Sequence, residues 1–333
     1  MLTLPSVESA AAERPSYRPF RATVSHVRRL SPHFTRVTFT GRDFGDFGAV
    51  GLDQRLKLVL PLPGIGVSDF GVDDPATHAD GSWYTRWRAL PDDVRNPIRT
   101  YTVRAVRPER REIDVDFVAH AHGTGPAVEE SRDASGGPAA DWLRAAVPGA
   151  ELVIVGPDAR GSDPTAGLDW RPGAATRLLL VGDETAVPAI SSILESLPAG
   201  REARVFLEVP TGGDALPIRV PEGCEVTWLD RGTEPRGHRL TAAVRDWATR
   251  ERFFPDRAAS AVHAEDGAIG PDPDSEPLWD TPVTAPVGEF YAWLAGESGV
   301  IKLLRRFLVR EIGIDRTSVA FMGYWRLGAS EAS

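Results

Sequence analysis

Arg177-Leu-Leu-Leu-Val-Gly-Asp-Glu-Thr-Ala-Val-Pro-Ala-Ile190 is the stretch on which the fold turns. Residues 177–181 are almost wholly apolar, as in a strand covered on both faces rather than one that alternates toward solvent. Gly182 ends the run. Pro188 suits the first turn of a helix, where its missing N–H costs nothing, and residues 189–197 keep helical spacing as far as Pro198. Strand, turn and helix in that order make the unit of a parallel α/β sheet. The same grammar continues downstream, with strands over 204–209 and 226–229, a helix over 240–248, a strand over 289–295, a basic helix over 300–312 and a last strand over 318–323. Residues 173–333 therefore read as an α/β parallel-sheet domain. A Pro/Asp/Gly-rich insertion interrupts it at 251–286.

Upstream the rhythm is different. Short strands are expected at 20–30, 34–41 and 54–60, then a hairpin of 99–106 and 112–119 that turns at Arg107-Pro108-Glu109-Arg110, and a strand at 151–155. One helix falls near 141–146. Turn-spaced strands with a single helix describe a small closed antiparallel β-barrel over 17–172. Residues 61–97 are dense in Pro, Gly and Asp, with Trp83, Tyr84 and Trp87 scattered among them, and read as a surface insertion with one short helix near 81–89. Residues 1–16 read as a disordered leader.

Composition narrows the function classes. A chain of 333 residues suits two domains. The lone Cys224 leaves no material for a disulfide framework, a thiolate zinc site or an iron–sulfur cluster, and the seven histidines show no ligand spacing, so no metal site is expected. A net charge of −9 argues against nucleic acid as a partner. No apolar run reaches the ~18 residues of a membrane span, and residues 1–19 lack the basic-then-apolar order of a signal peptide. A cytoplasmic monomer is the expectation.

Two regions carry chemistry. On an extended strand, residues i and i+2 share a face, so Arg99 and Tyr101 of Arg99-Thr100-Tyr101-Thr102 stand side by side with Thr102 close by. A cation beside an aromatic plane suits a flavin nucleotide; it equally describes an ordinary Arg–Tyr pair on a surface strand. In the α/β half, Gly182 would let backbone approach a ligand, and the helix after it would offer amides and its positive end to a diphosphate. Thr185 adds a hydroxyl, whereas Asp183 and Glu184 would repel phosphate unless they point outward. The turn is not GxGxxG, and a plain βα turn stays open as a reading. Gly296 and Gly299 end a later strand; since ligands sit outside the carboxyl ends of such strands, 182–185 and 296–299 should converge on one crevice. Tyr324, Trp325 and Arg326 follow the last strand within reach of it, although each ring could serve as a core anchor.

Six segments then fall in order over nearly the whole chain: RTYT (99–102), DFVAH (116–120), GGPAADW (136–142), GDETAVPAI (182–190), FYAWLAGESG (290–299) and GYWR (323–326). Together they resemble the siderophore-interacting proteins, flavin-dependent ferric-siderophore reductases of the ferredoxin-reductase superfamily. The resemblance implies an N-terminal FAD-binding barrel of ferredoxin-reductase type and a C-terminal NAD(P)H-binding domain. It implies that Arg99 pairs with FAD phosphate, that Tyr101 packs on the isoalloxazine and that Thr102 bonds near its reactive edge, which makes Tyr101 and Thr102 the catalytic pair. Asp116, Val118 and His120 would contact the flavin and its ribityl chain. Gly137, Pro138 and Ala139 would form the phosphate turn, with Trp142 at the adenine end. Here the chain departs from the family pattern, because residues 121–136 separate His120 from Gly137 and Gly125-Pro126-Ala127 offers a competing copy. The second copy is preferred because Trp142 follows it at the expected distance.

Gly182, Asp183, Glu184, Thr185, Ala186, Trp293, Gly296, Glu297, Tyr324 and Trp325 would line the nucleotide side, with Arg231 placed for the 2′-phosphate of NADPH. Ferric siderophores are often anionic, and Lys57, Arg160 and Arg326 match the positions of the family's basic substrate cluster. NADPH or NADH would donate electrons, with a ferredoxin as an alternative, and Fe(II) would be released. Two other readings stand beside this one: a related flavin reductase serving a protein or other acceptor, and a non-redox siderophore-binding protein.

Overall fold

Thirteen strands form two sheets in a computed structural model that describes residues 14–118, 137–250, 279–282 and 288–328. The first half comprises β1 (Tyr17–Arg29), β2 (Phe34–Thr40), β3 (Arg55–Val59), α1 (Pro75–Asp80), α2 (Trp83–Arg88), β4 (Ile98–Thr102), β5 (Ala105–Arg107), β6 (Glu112–Val118), α3 (Gly137–Ala145) and β7 (Glu151–Pro157). Its sheet is antiparallel throughout, in the order β4-β3-β7-β1-β2-β6-β5. The expected closed barrel is realised as a curled sheet whose two end strands are consecutive in the chain. Val103 N donates to Gln54 O beside β3 at 2.8 Å, and Arg104 N donates to Asp114 O on β6 at 3.0 Å. One kinked segment thus joins the ladder's ends. Phe20, Phe39, Leu56, Leu58, Val115, Phe117 and Ile154 fill the concave side, each buried side chain contributing about 1.5–3 kcal/mol.

Residues 61–97, read as a surface insertion, are packed down on the first sheet. They form two helices, α1 and α2, rather than one, and Phe70, Val72, Trp83 and Trp87 pack on Val59, Val153 and Val155 of the sheet's convex side. Asn96, wholly buried, ties the segment down: its Nδ2 donates to Leu60 O and Gly66 O at 3.0 and 2.8 Å, and its Oδ1 accepts from Ser68 N.

The second half contains β8 (Arg177–Gly182), α4 (Val187–Glu195), β9 (Glu202–Val209), β10 (Cys224–Asp230), α5 (His238–Arg250), β11 (Trp279–Asp280), β12 (Phe290–Glu297), α6 (Ser298–Arg306) and β13 (Val319–Trp325). The sheet order is β10-β9-β8-β12-β13-β11. Its first five strands are parallel, as the apolar runs predict. The sheet is nevertheless mixed, because β11, inside the stretch read as an insertion, pairs antiparallel with β13. The helix α4 covers the face toward the barrel, and α5 with α6 covers the other. The chain steps outward from β8 to β10 and returns to β12, so the topological switch lies between β8 and β12. Among the described residues, no helix is long and apolar enough to cross a membrane.

Polar anchors join the two halves. Asp214, wholly buried, accepts from Ser31 Oγ (2.7 Å), His33 N (2.8 Å), Thr211 N and Thr211 Oγ1, with His33 Nδ1 at 2.7 Å. Arg104 forks onto Glu195 at 2.9 and 2.7 Å. Asp53 reaches from the loop before β3 to accept from Trp293 Nε1 at 3.0 Å.

Candidate functional site

Register settles which residues share a face. Leu56 pairs with Tyr101 and Leu58 with Arg99, so these four point to the concave side, while Lys57 and Thr100 pair on the convex side. Tyr101 is half-buried, its ring centroid 4.6 Å from that of Phe117; Phe117 in turn stacks on Trp142 of α3 at 5.6 Å, and Trp142 on Phe39 at 5.9 Å. Arg99 is half-buried on the same face and donates to Ile98 O at 2.8 Å. Thr102, one residue on, is 7% exposed and faces the other way. At the start of α3, Gly137 has φ +79, and a Cβ there would meet nothing within 4 Å. A cation, an aromatic plane and an open helix-opening turn are therefore present on the described residues, and they fit the phosphate and ring of FAD. His120 and the competing turn at 125–127 lie outside the described residues.

Asp116 does not stand open to a ligand. It is 4% exposed, and Arg36 grips it through Nε at 2.6 Å and Nη2 at 2.8 Å, with Arg104 at 3.6 Å. Val118 shares that outward face and packs against the other domain's core. The basic residues are not gathered around Tyr101 either. Lys57 lies on the opposite face of the ladder. Arg160 is held by Asp46 (3.0 Å) and Asp158 (3.4 Å) beyond the end of β7, and Arg326 is exposed after Trp325.

The second region lies at the carboxyl ends of β8, β9 and β12, where Asp183, Glu208, Arg231, Arg236, Gly237, Gly296, Glu297, Val300 and Trp325 line a small crevice. The convergence expected of 182–185 and 296–299 is present, and one carboxylate organises it. Asp183 Oδ1 accepts from Thr185 N (2.9 Å) and Thr185 Oγ1; its Oδ2 accepts from Glu297 N and Trp325 Nε1, each at 2.8 Å. A Cβ on Gly296, at φ +148, would stand 2.7 Å from that carboxylate, which is why glycine sits there. Burial, then the nearby charge of Glu184, pushes Asp183 up to about 6. Gly182 has a different reason from the one its position suggests. A Cβ there would come 2.4 Å from Ala186 Cβ and 3.0 Å from Ala295 O, so glycine lets α4 pack on its own strand rather than admitting a ligand. Ala186, immediately before α4, is itself wholly buried.

Glu184 turns inward, not out. It accepts from Arg231 Nη1 and Nη2 at 2.8 and 3.2 Å and from Arg236 Nη1 at 2.5 Å. Burial works against its ionisation, yet the bonds and charges of Arg231 and Arg236 outweigh it and hold the carboxyl below its usual range. Arg231 is thus 7% exposed and committed to an internal pair, with Glu208 also 3.6 Å away; it does not present itself to a 2′-phosphate as its position had suggested. Arg236, which no sequence signal singled out, lies over the Trp325 ring at 5.1 Å. Glu297 caps α6 by accepting from Val300 N at 3.0 Å and also receives Leu327 N at 3.2 Å.

Two expected nucleotide contacts lie elsewhere. Trp293 is wholly buried and anchored on Asp53, so its role is packing between the domains. Tyr324 stacks on Trp279 at 5.6 Å and meets Trp293 edge-on at 6.3 Å. Asp53 itself was invisible in the sequence. It is 1% exposed, and burial, then the charge of Asp169, pushes its carboxyl up to about 6.

Comparison with known proteins agrees with this layout. Residues 23–161 match the model of the siderophore-interacting FAD-binding domain, and residues 175–328 match that of the siderophore-interacting protein family. A Mycobacterium tuberculosis protein of undescribed function is 30% identical over 94% of this chain and 93% of its own. Ferric vibriobactin reductase ViuB of Vibrio cholerae is 27% identical over 91% of this chain and 87% of that one. The crystal structure of SipS from Aeromonas hydrophila, a siderophore-interacting protein, superposes with a TM-score of 0.62 at 26% identity, covering 95% of each chain. The fold extends to ferredoxin-reductase-like proteins such as the Amycolatopsis cytochrome P450 reductase GcoB, with a TM-score of 0.52 at 15% identity over 97% of this chain and 74% of that one.

Proposed function

The chain belongs to the siderophore-interacting protein family, and from that premise we propose that it is an FAD-dependent reductase of ferric siderophores, working in the cytoplasm with a nicotinamide nucleotide as electron donor. The observation that carries this reading is the pairing of two half-sites. Arg99 and Tyr101 share the concave face of β4, and the crevice organised by Asp183 opens at the strand ends of the adjoining domain. Bound FAD supplies the conversion between a hydride, which brings two electrons, and iron, which takes one.

The chain's own residues supply position and field. Arg99 holds the flavin's phosphate and Tyr101 offers its ring to the isoalloxazine, while Thr102 is buried on the other face of the strand. Gly137, Pro138 and Ala139 open α3 toward the phosphates. Trp142, braced between Phe39 and Phe117, keeps that helix seated over the barrel. On the other side, the Asp183 network holds the β8–α4 turn, the β12 end and Trp325 as one unit, so that the crevice floor is formed before a nucleotide arrives. Arg326, exposed after Trp325, supplies positive charge for an anionic ferric chelate against the chain's negative total, whereas Arg160 is largely offset by Asp46 and Asp158 and Lys57 stands on the opposite face of the ladder from Tyr101. The balance is one nicotinamide nucleotide oxidised, one proton released and two ferric ions reduced.

Steady-state turnover with a ferric siderophore and an Fe(II)-trapping chelator tests the proposal. The expected result is two Fe(II) trapped for each nucleotide consumed. Nucleotide oxidation without Fe(II), or a protein that binds ferric siderophore and turns over nothing, would leave the reductase reading without support.

A further inference from the structure

The crevice that would receive the donor also carries information on which donor it accepts, and the following rests on the reading just given. An adenine nucleotide whose diphosphate approaches the β8–α4 turn extends its adenosine half over the ends of the neighbouring strands. There an acidic side chain suits a free ribose 2′-hydroxyl, and an arginine suits a 2′-phosphate. In this chain those ends are the last residues of β9 and β10, Val209 and Asp230, which are paired in register.

Asp230 is exposed. Its oxygens lie 3.3 Å and 3.7 Å from where a Cβ would stand on Gly212 and on Gly232, residues too small to cover them. The next residue, Arg231, is the cation that could offset this charge, but it points inward to the wholly buried Glu184 and is joined by Glu208. The other basic residues on this flank also lie beside carboxylates. Arg236 bonds Glu184 and lies over Trp325, Arg239 is 3.9 Å from Glu234, and His238 is 3.1 Å from the same carboxylate.

We infer that the crevice is built for NADH and against NADPH, with Asp230 as the discriminating residue and Glu184 as the residue that keeps Arg231 away from a 2′-phosphate. A carboxylate accepts a hydrogen bond from the ribose 2′-hydroxyl. Set beside a phosphate dianion at the rim, it repels instead, by an amount that reduces affinity about tenfold or more.

The test needs no redox chemistry. Holoprotein saturated with FAD is titrated calorimetrically with ADP-ribose and with its 2′-phosphorylated form, in the wild type, in Asp230→Ser and in Asp230→Glu. Because Asp230 is exposed, neither change threatens the fold. The wild type should bind ADP-ribose at least about tenfold more tightly, Asp230→Glu should keep that preference, and Asp230→Ser should remove most of it. Equal or tighter binding of the phosphorylated ligand by the wild type, or an unchanged preference in Asp230→Ser, overturns the inference while leaving a nicotinamide donor in place. If neither ligand binds, the inference and the donor assignment both fall.

Discussion

Replacing Asp53 with asparagine should change how stability depends on pH, by an amount that follows from the interface it occupies. Asp53 lies in the loop before β3, is 1% exposed, and has an Oδ2 that accepts from Trp293 Nε1 and Asp169 N at 3.0 and 3.1 Å. Its Oδ1 has no hydrogen-bond partner, and Asp169 adds like charge. Burial carries the carboxyl from 3.8 to about 6. At about 1.4 kcal/mol for each tenfold change in proton affinity, the ionised side chain is roughly 3 kcal/mol costlier in the folded protein than in the unfolded chain. Between 3.8 and 6 the folded state holds a proton that the unfolded state has lost, so this stabilisation is complete below 3.8 and disappears as pH rises through 6. Asparagine carries no such proton. Urea unfolding of FAD-saturated wild type and Asp53→Asn at pH 5 and pH 8 isolates the effect, since contributions from other groups cancel in the difference. From pH 8 to pH 5, the wild type should gain about 1.4 kcal/mol relative to the variant. A difference independent of pH over that range would show that Asp53 is ionised in the folded state throughout, and would refute the reasoning.

Other substitutions probe the remaining supports. Arg99→Ala should weaken FAD binding about tenfold or more, the worth of a charge-assisted hydrogen bond to phosphate, read as loss of flavin on gel filtration and by fluorescence titration. Gly182→Ala forces a methyl into 2.4 Å contact with Ala186 Cβ; a cost of about 1–3 kcal/mol should appear in thermal unfolding, with a larger cost to FAD-independent stability than to flavin affinity. Asp214→Ala leaves Ser31, His33 and Thr211 without their shared acceptor and should cost roughly 3 kcal/mol, seen as faster proteolysis between the halves.

Much of the fold is legible in the sequence because its decisive signals are local. The apolar run before Gly182 announces a doubly covered strand, and Pro188 announces the helix after it. Residues 61–97 hide their packing because Phe70, Val72, Trp83 and Trp87 follow neither a period of two nor one of 3.6, and only the convex side of β3 and β7 gives them a common target. The site is legible as residue types and less so as roles. Arg231 looks available until Glu184, 47 residues earlier, is folded against it. Asp116 looks like a ligand contact until Arg36, 80 residues away, closes on it. Trp293 looks like a cofactor contact until the barrel supplies Asp53, 240 residues distant. Each of these roles depends on a partner that no local pattern can name, and Asp53 carries no local signal at all.

The most direct test of the central claim is an anaerobic stopped-flow experiment on the purified holoprotein, following the visible absorbance of its flavin. The account predicts that NADH bleaches the flavin, and that a ferric siderophore added afterwards restores its colour while Fe(II) accumulates in a chelator. A protein that holds no flavin, or a flavin that bleaches and stays bleached in the presence of the ferric complex, would contradict it.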